Sequence, residues 1–346
     1  MTFTLLLTCV GGELAPHVIR TLKHGGRRPV RVVGVDISAN ATGRHFVDRF
    51  TTVPRGTDPA YVEAIARLVA EEGVNLVLPT SDEEALALSA ARSAIETGAC
   101  HLACADAATL QLVSNKADAY DRFAELGLPT PDWMRATTLD ELADSVKSFV
   151  RRRSEAVVKP ASDRGGRGVC VIRADLQGGH ALQGGRELHM DLATFLDRHL
   201  GGFATRLPAV VMQRLVEPVY DIDMLAWRGR PIHVVPRRRV ESAMPNEGHV
   251  FIEDATLSSL GRRLVEKLEL SWLYDCDVMY DADAKPCILE INPRPSGSIG
   301  STITAGVPLL DDLIALSLGE EVPPASSPVG QVVIPYKALA RAATKV

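Results

Sequence analysis

The first 110 residues alternate short apolar runs with amphipathic segments, and this alternation constrains the fold more than any other feature of the sequence. Four runs are apolar and of strand length: residues 3–10, 30–36, 75–79 and 101–105. Three segments with helical periodicity separate them: residues 12–24, 61–72 and 83–96. Apolar strands separated by amphipathic helices are typical of a parallel sheet covered on both faces. The sequence therefore predicts an α/β domain over residues 1–110.

The rest of the chain has a different pattern. Helical periodicity over residues 106–127 ends at Leu128-Pro-Thr-Pro131, because proline disfavours a helical conformation of the residue before it. The strands expected beyond this point are residues 156–159, 169–173, 209–213, 221–227, 231–240, 250–253, 275–280, 286–291 and 331–336, and the expected helices are residues 139–152, 191–200 and 255–268. Residues 174–190 are interpreted as a flexible surface excursion. Short turns predict antiparallel pairing in the last third, and hence two α+β lobes after the α/β domain.

Length, charge and cysteine content narrow the class of protein. The chain has 346 residues and a net charge of −5 from 43 acidic and 38 basic side chains, which argues against a general nucleic-acid-binding protein. No apolar stretch approaches the roughly 18 residues that cross a membrane, and the apolar N-terminus lacks the basic flank of a signal peptide. The 6 cysteines include no CxxC pair, so we expect free thiols and a cytoplasmic protein.

The most specific group of polar residues lies on the last two strands before the C-terminal loops. Glu290 and Asn292 project to one face because side chains alternate along a strand, and an antiparallel neighbour would place Asp277 opposite them. Two carboxylates and an amide oxygen suit Mg²⁺, which commonly bridges nucleotide phosphates. A solvated sheet face is the alternative, but the stiff turn Pro293-Arg294-Pro295 sets an arginine beside the acids. We interpret the group as a magnesium site.

A second group combines lysines with a glycine-rich segment. Lys159 ends an apolar strand, where a buried ammonium group is unfavourable unless an anion lies nearby. Residues 162–168 (SDRGGRG) follow, and glycines let backbone N–H groups approach phosphates, although an ordinary hairpin turn explains the same residues. Lys116 opens a helix, and residues 212–216 form a strand leading between the lobes, against which an adenine could pack. The order of residues in a Walker A loop is absent.

The order of these residues along the chain resembles the order found in the ATP-grasp superfamily. The resemblance is carried by Lys116, Val158-Lys159-Pro160, the SDRGGRG segment, residues 212–216, Asp277 and Glu290-Ile-Asn-Pro-Arg294. The segment Val10-Gly-Gly-Glu-Leu-Ala-Pro-His17 resembles the first turn of the family's pre-ATP-grasp domain, and Ile291-Asn-Pro-Arg-Pro-Ser-Gly-Ser298 with Ala305-Gly-Val-Pro308 resembles its C-terminal signature. The likeness covers nearly the whole chain and is to stand-alone ligases similar to the carbamoyl phosphate synthase large subunit and biotin carboxylase.

The resemblance implies a domain organisation. We expect a Rossmann-like pre-ATP-grasp domain at residues 1–110 and a small ATP-grasp lobe at residues 111–215, with linker helices at 111–131 and a glycine-rich lid. A C-terminal lobe that carries the metal site would occupy residues 216–346. The fold class is thus a parallel α/β domain followed by a two-lobed α+β ATP-grasp fold.

The resemblance also implies roles for the matching residues. ATP would be bound by Lys116, Lys159, Ser162, Gly165, Gly166, Gly168, Gln213, Arg214 and Val216, and its ribose by Glu217 or Asp221. One or two Mg²⁺ ions, or Mn²⁺ in their place, would be bound by Asp277, Glu290 and Asn292. The substrate would contact Arg237, Arg239, Arg294, Ser296 and Gly297, and the catalytic residues would be Lys159, Arg239 and Arg294.

Arg237 and Arg239 lie on the same predicted strand as Arg238. Alternation sends both side chains to one face of the strand over residues 231–240, and a solvated charged edge is the simpler interpretation, which we adopt for Arg238. Similar ligases use basic residues near this point for carboxylate substrates, and arginine binds carboxylates in a bidentate manner. We therefore expect Arg237 and Arg239 to face the substrate.

The implied reaction is ATP-dependent ligation of a carboxylate and an amine. ATP would convert the carboxylate into an acyl phosphate, and the amine, expected to be an amino acid, would displace phosphate to form an amide or peptide bond. No motif for a protein nucleophile such as G-x-S-x-G is present. The partners would be small molecules, with no nucleic acid and no membrane, and the resemblance implies a homodimer.

Two other functions stay open from the residues alone. In a nicotinamide-dependent oxidoreductase, Asp36 would bind a ribose after the Gly11-Gly12 turn, although the G-x-G-x-x-G order is missing. A non-catalytic nucleotide-binding subunit is the other alternative, and the presence of Lys159, Glu290 and Arg294 argues against it.

Overall fold

The computed structural model describes residues 2–162, 168–176, 181–183, 187–325 and 328–339, and these form three sheets. The first sheet has five parallel strands in the order β3-β2-β1-β4-β5. These strands are β1 (Phe3–Leu7), β2 (Val30–Asp36), β3 (Arg49–Thr52), β4 (Leu76–Leu78) and β5 (His101–Leu102). The helices α1 (Ala15–Arg20), α2 (Tyr61–Glu72), α3 (Asp82–Ala90) and α4 (Arg92–Ile95) connect them. The predicted parallel-sheet domain at the N-terminus is confirmed.

Two helices lead from the first sheet to the second, α5 (Ala107–Ser114) and α6 (Lys116–Glu125). They replace the single helical stretch expected over residues 106–127, and the break falls at Asn115. The side-chain Oδ1 of Asn115 accepts hydrogen bonds from the backbone N–H groups of Ala117 and Asp118, at 3.0 and 3.3 Å, and so caps α6. The backbone N–H of Lys116 donates to the carbonyl oxygen of Ala161 at 2.8 Å. This contact holds the first residue of α6 against the end of the strand that carries Lys159.

The second sheet has six strands in the order β6-β11-β7-β8-β10-β9. Their bounds are β6 (Trp133–Ala136), β7 (Glu155–Pro160), β8 (Val169–Arg173), β9 (Ala181–Gln183), β10 (Glu187–Met190) and β11 (Ala209–Met212). Helix α7 (Leu139–Arg153) packs on this sheet through an apolar core that includes Leu142, Val146 and Phe149, and the short α8 (Leu192–Thr194) follows β10. The excursion expected at residues 174–190 therefore contains two strands in its described part, β9 and β10.

The third sheet has six antiparallel strands in the order β16-β15-β12-β13-β14-β17. Their bounds are β12 (Val216–Trp227), β13 (Arg230–Arg239), β14 (His249–Phe251), β15 (Trp272–Tyr280), β16 (Pro286–Asn292) and β17 (Val332–Val333). Helix α9 (Ala255–Lys267) covers one face, and α10 (Ile299–Thr304) and α11 (Leu309–Ser317) follow β16. The antiparallel pairing predicted from the short turns is observed.

Two of the strands that the sequence did not predict, β3 and β6, lie at sheet edges. Strand β3 is the outermost strand of the first sheet and β6 of the second, and each has only partly buried or exposed residues at most positions. An edge strand pairs on one side only and requires little apolar character, so neither segment has the apolar run used to recognise strands.

In the described part of the chain, no helix is long and apolar enough to cross a lipid bilayer. The boundaries proposed at residues 110 and 215 stay predictions, although the three sheets fall on either side of them.

Candidate active site

A cavity of about 500 Å³ lies between the second and third sheets. Lys159 and Met212 line it from the second sheet, and Asp277 and Glu290 line it from the third. Lys116 enters from the start of α6, and Asp82 comes from the first residue of α3 in the N-terminal domain. All three parts of the fold therefore contribute to one cavity wall.

Strands β15 and β16 hold the candidate metal ligands in register. Asp277 pairs with Glu290 across the two strands, and Asp275 pairs with Asn292, as expected for antiparallel neighbours. One oxygen of Asp277, Oδ1, is buried and has no hydrogen-bond partner among the described residues. An unpartnered carboxylate oxygen beside a second carboxylate is suited to a hard divalent cation, so these residues fit Mg²⁺.

Lys116 forms an ion pair with Glu290, with 3.0 Å between Nζ and Oε2. Burial raises the pKa of Glu290, but the charges of Lys116 and Lys159 outweigh burial and hold the pKa below its ordinary value. Burial also lowers the pKa of the Lys159 ammonium group, against the opposite influence of Glu290. A phosphate group that entered this part of the cavity would meet two cationic side chains, Lys116 and Lys159, and would compete with Glu290 for them.

Burial raises the pKa of Asp277 to about 6, and the neighbouring Asp221 and Glu290 act in the same direction against Arg239. The carboxylates of Asp221, Asp275 and Asp277 offer ligand atoms within 4.8 Å of one another. Arg239 already occupies that cluster, because its Nε donates to Asp221 at 3.0 Å and its Nη2 to Asp277 Oδ2 at 2.7 Å. The cluster is therefore neutralised in part by a guanidinium group, which leaves Oδ1 of Asp277 without a hydrogen-bond partner among the described residues.

The structure contradicts the assignment of Asp221 to the ribose. Asp221 is 1 % exposed, does not line the cavity and accepts hydrogen bonds from Arg239 and from His249 Nε2, the latter at 3.1 Å. Although burial opposes it, Arg239 and Arg237 hold the pKa of Asp221 well below its ordinary value. Glu217, the other candidate, does line the cavity.

Arg237 was expected to face the substrate, and the structure contradicts this too. Its side chain is 0 % exposed and does not line the cavity. It donates to Asp223 Oδ1 at 3.1 Å and, on the cavity side, to the hydroxyl groups of Ser296 and Ser298 at 3.1 and 2.9 Å. Alternation had correctly placed Arg237 on the same face as Arg239, but the loop after β16 covers Arg237 and leaves only Arg239 at the wall.

The remaining predicted residues divide into those at the wall and those away from it. The residues at the wall are Lys116, Lys159, Arg214, Arg239, Asp277, Glu290, Asn292, Arg294, Ser296 and Gly297. Ser162, Gly168, Gln213 and Val216 do not line the cavity. The predicted contacts of Gly165 and Gly166 lie outside the described residues. Apolar side chains of Met212 and Leu215 face the cavity where Gln213 and Val216 had been expected.

Asp82 and Asp275 are among the wall residues that the sequence analysis missed. Asp82 forms an ion pair with Arg294, with 3.0 Å between Oδ1 and Nε. Asp275 accepts a hydrogen bond at 3.1 Å from Nδ2 of Asn292, whose Oδ1 in turn accepts one at 3.4 Å from Arg294. Asp82 lies in the first turn of a helix, where acids are common for reasons of helix stability, so its position gave no distinguishing signal. Asp275 could have been found from its spacing of two residues from Asp277 on one strand.

The dinucleotide-binding alternative finds no support at Asp36. Its two carboxylate oxygens accept hydrogen bonds from the backbone N–H groups of Gly11 and Ser38, at 2.7 and 2.9 Å. A Cβ atom at Gly11 would lie 2.9 Å from Asp36 Oδ2, so the turn is built around this carboxylate. Asp36 thus stabilises a loop of its own domain and has both oxygens engaged.

Comparison with known proteins yields two family matches. Residues 205–337 match the family described as "ATP-grasp in the biosynthetic pathway with Ter operon". Residues 5–103 match the family described as "PylC-like, N-terminal domain". The formate-dependent phosphoribosylglycinamide formyltransferase of Burkholderia pseudomallei (strain 668) is 34 % identical over 192 residues, which cover 54 % of this chain and 44 % of that protein. The match thus spans less than half the length of that relative.

Solved structures share the fold over nearly the whole chain. The biotin carboxylase domain of the Hydrogenobacter thermophilus 2-oxoglutarate carboxylase, a dimer solved with MgADP, ADP and bicarbonate, has a TM-score of 0.71 at 16 % identity, covering 95 % of this chain and 73 % of that one. An L-amino acid ligase from Bacillus licheniformis has a TM-score of 0.61 at 15 % identity, covering 92 % and 74 %. The two family matches and this shared architecture agree with each other: the chain has an ATP-grasp fold, and its residues 205–337 match an ATP-grasp family.

Proposed function

We propose that this chain is an ADP-forming carbon–nitrogen ligase that activates a carboxylate with ATP and joins it to an amine, in particular an amino acid. The observation that carries the proposal is the meeting of Lys116, Lys159, Asp277, Glu290 and Arg294 on one cavity wall. Two lysines, two carboxylates suited to Mg²⁺ and an arginine are the groups that phosphoryl transfer to a carboxylate requires.

In the first step a carboxylate oxygen forms a bond to the γ-phosphorus of ATP, and the bond from that phosphorus to the β–γ bridging oxygen breaks. Lys116 and Lys159 would bind the phosphates, and the apolar side chains of Met212 and Leu215 would pack against the adenine. Glu217 is the candidate for the ribose hydroxyl groups. Mg²⁺ held by Asp277, Glu290 and Asn292, or Mn²⁺ in its place, would supply positive charge at the phosphates.

In the second step the amine nitrogen bonds to the carbonyl carbon of the acyl phosphate, the bond from that carbon to the phosphate oxygen breaks, and the nitrogen loses a proton. Arg294 lines the cavity and would stabilise the negative charge on the acyl phosphate and on the tetrahedral intermediate. Ser296 and Gly297 belong to the loop that follows Arg294 and would contact the substrate. No histidine or cysteine occurs among the described residues of the wall, in keeping with a reaction that needs no protein nucleophile.

The comparisons support the substrate class without naming the substrates. The formyltransferase is described as formate-dependent, the biotin carboxylase domain was solved with bicarbonate, and the third relative is an L-amino acid ligase. Small acids and an amino acid are therefore the first compounds to test. We also propose a homodimer, which the dimer of the biotin carboxylase domain supports. A cytoplasmic location is proposed as well, and the free cysteines at all 6 positions support it.

The test begins with ligand-induced thermal stabilisation by Mg-ATP, Mg-ADP and NADH in parallel. Ligand at about 100 times its Kd adds roughly 2.7 kcal/mol to the free energy of unfolding, so Mg-ADP should raise the Tm by a few degrees. Phosphate release is then measured with pairs of acid and amine. Stabilisation by NADH alone, or no dependence of phosphate release on any acid, would contradict the proposed function.

A further inference from the structure

Asp275 is a buried carboxylate on the cavity wall that the proposed mechanism leaves unused. It is 3 % exposed, lines the cavity and lies on β15, in register with Asn292 of β16. Its Oδ2 accepts a hydrogen bond from Asn292 Nδ2 at 3.1 Å. Its Oδ1 is buried and has no hydrogen-bond partner among the residues that the structure describes.

The two neighbouring arginines are bound to other carboxylates. Arg239 donates to Asp221 and Asp277, and Arg237 donates to Asp223. The distance from Arg237 Nη2 to Asp275 Oδ1 is 3.8 Å, which is beyond hydrogen-bond range. Four aspartates thus face two guanidinium groups, and Asp275, which has an ionic contact of 3.8 Å with Arg237, is the one to which neither arginine donates a hydrogen bond. A buried carboxylate without a bonded cation is unfavourable, so the site favours a positively charged ligand.

The residues around Asp275 favour an ammonium group over a divalent metal ion as its ligand. A Mg²⁺ ion would have to approach Oδ1 to about 2.1 Å and would hold its double charge close to the guanidinium group of Arg237. Asp221 and Asp277 each accept a hydrogen bond from Arg239, so they offer Asp275 little help in completing the coordination of a metal ion. An ammonium group has a single charge and three N–H donors, and it needs to approach Oδ1 only to hydrogen-bond distance, about 2.9 Å.

The position of Asp275 relative to Arg294 connects the site to the reaction. Asn292 joins the two: it donates to Asp275 at 3.1 Å and accepts from Arg294 at 3.4 Å. An acyl phosphate bound at Arg294 and a cation bound at Asp275 would therefore lie on either side of a single amide group. Neighbouring positions of this kind hold the amine and the acyl phosphate within reach of each other, and the bound ammonium group becomes a nucleophile once it has released one proton to water.

From this arrangement we propose that Asp275 binds the ammonium group of the amine substrate, and that the enzyme accordingly selects amines that are cationic in solution, such as amino acids. The assignment rests on the proposed function, since it presupposes an acyl phosphate at Arg294. It makes Asp275 a specificity-determining residue that lies beside the proposed metal ligand Asn292 and is assigned to the amine.

The experiment compares a cationic nucleophile with an uncharged one. The wild-type enzyme is first screened with Mg-ATP, with formate, acetate and the standard amino acids as acids, and with hydroxylamine, which is uncharged at neutral pH and traps acyl phosphates as hydroxamates. The acid that gives hydroxamate is then paired with the standard amino acids and methylamine as cationic nucleophiles. Asp275→Asn and Asp275→Ser are measured on both reactions, with Asp283→Asn in an exposed turn as the matched control.

In both Asp275 variants the KM for the cationic amine should rise about tenfold or more, the effect of losing a hydrogen bond between two charged groups. Hydroxamate formation, stabilisation by Mg-ADP and Mn²⁺ affinity in the presence of ADP should stay within about threefold of wild type, and Asp283→Asn should behave as wild type. The proposal is overturned if the KM for the amine is unchanged in the Asp275 variants. It is also overturned if their rates with amine and with hydroxylamine fall together, or if their Mn²⁺ affinity falls as well. A wild-type enzyme that accepts hydroxylamine but no cationic amine would overturn it too. A wild-type enzyme that forms no hydroxamate with any acid refutes the proposed function itself, and the ammonium site with it.

Discussion

The side chain of Arg294, in the loop after the last strand of the third sheet, forms an ion pair with Asp82 of the N-terminal domain, at 3.0 Å. Both residues line the cavity, and Asp82 is the first residue of α3. Ser81 caps this helix through its hydroxyl group, which accepts from the backbone N–H of Glu84. The N-terminal parallel sheet therefore does more than precede the two lobes: it sets the direction of the arginine on which the proposed chemistry depends.

The first prediction concerns this ion pair. Asp82→Ala should lower the rate of acid-dependent phosphate release about 10- to 100-fold, because a misdirected Arg294 loses alignment with the acyl phosphate. The affinity for Mg-ADP should change less than twofold, because Arg294, the partner of Asp82, is assigned to the acyl phosphate and not to the nucleotide. Steady-state kinetics and thermal stabilisation measure the two quantities.

The neighbouring Glu83→Ala is the matched control, because Glu83 is exposed on the same helical turn. It should keep wild-type kinetics. If Asp82→Ala and Glu83→Ala have equal effects on turnover, the ion pair has no role in positioning Arg294.

The second prediction follows from the ion pair between Lys116 and Glu290. A divalent cation that binds Glu290 must compete with the ammonium group of Lys116, and a nucleotide that attracts Lys116 would remove this competition. Lys116→Met should therefore bind Mn²⁺ about three to ten times more tightly than wild type in the absence of nucleotide, while its affinity for ADP falls about tenfold. Titration of Mn²⁺ followed by electron paramagnetic resonance, and calorimetry with ADP, test both effects.

Lys147→Met is the control for that experiment, because Lys147 is half exposed on α7 and forms an ion pair with the nearby Asp144. It should leave both affinities unchanged. Weaker Mn²⁺ binding by Lys116→Met without nucleotide would mean that the lysine assists the metal, contrary to the competition expected here.

The third prediction concerns the metal ligands. Glu290→Gln should reduce phosphate release at least about 100-fold while the Tm without ligand stays close to that of wild type, because an amide lacks the charge that holds Mg²⁺. Glu266→Gln, at an exposed position of α9, provides the control. Full activity of Glu290→Gln at saturating Mg²⁺ would remove Glu290 from the metal site.

The sequence predicted the parallel sheet and the register of β15 and β16 because both depend on local patterns. The five strands of the first sheet include four apolar runs separated by helical periodicity, and these patterns are set by burial on both faces. The opposition of Asp277 and Glu290 follows from alternation along two strands joined by a short turn. Each of these features is encoded within a few residues of the positions that it concerns.

The errors share a different cause. Alternation gave the face of Arg237 correctly but could not show that the loop carrying Ser296 and Ser298 folds back over it. The contact of Asp82 with Arg294 joins residues far apart in the chain, and no local pattern encodes it. Asp221 was assigned by its proximity to the expected ribose contact, whereas its partners Arg239 and His249 come from neighbouring strands. Contacts between separate elements determined these three outcomes.

The last prediction uses the buried position of Arg237. Its guanidinium group donates to Asp223 and to the hydroxyl groups of Ser296 and Ser298, and Asp223 also accepts a hydrogen bond from Thr302. Arg237→Met would leave Asp223 buried without its cation, and breaking a buried ion pair costs about 3–5 kcal/mol. Denaturant unfolding should therefore show a free energy of unfolding lower by about that amount.

Arg238→Met, one residue along β13, is the control because that side chain is only partly buried. Its free energy of unfolding should change by about 1 kcal/mol or less. If Arg237 bound the substrate directly, as its place on the strand first indicated, Arg237→Met would instead retain stability and raise the KM for the acid. A stable Arg237→Met protein with that kinetic defect would thus contradict the buried role that its contacts with Asp223 and the two serines indicate.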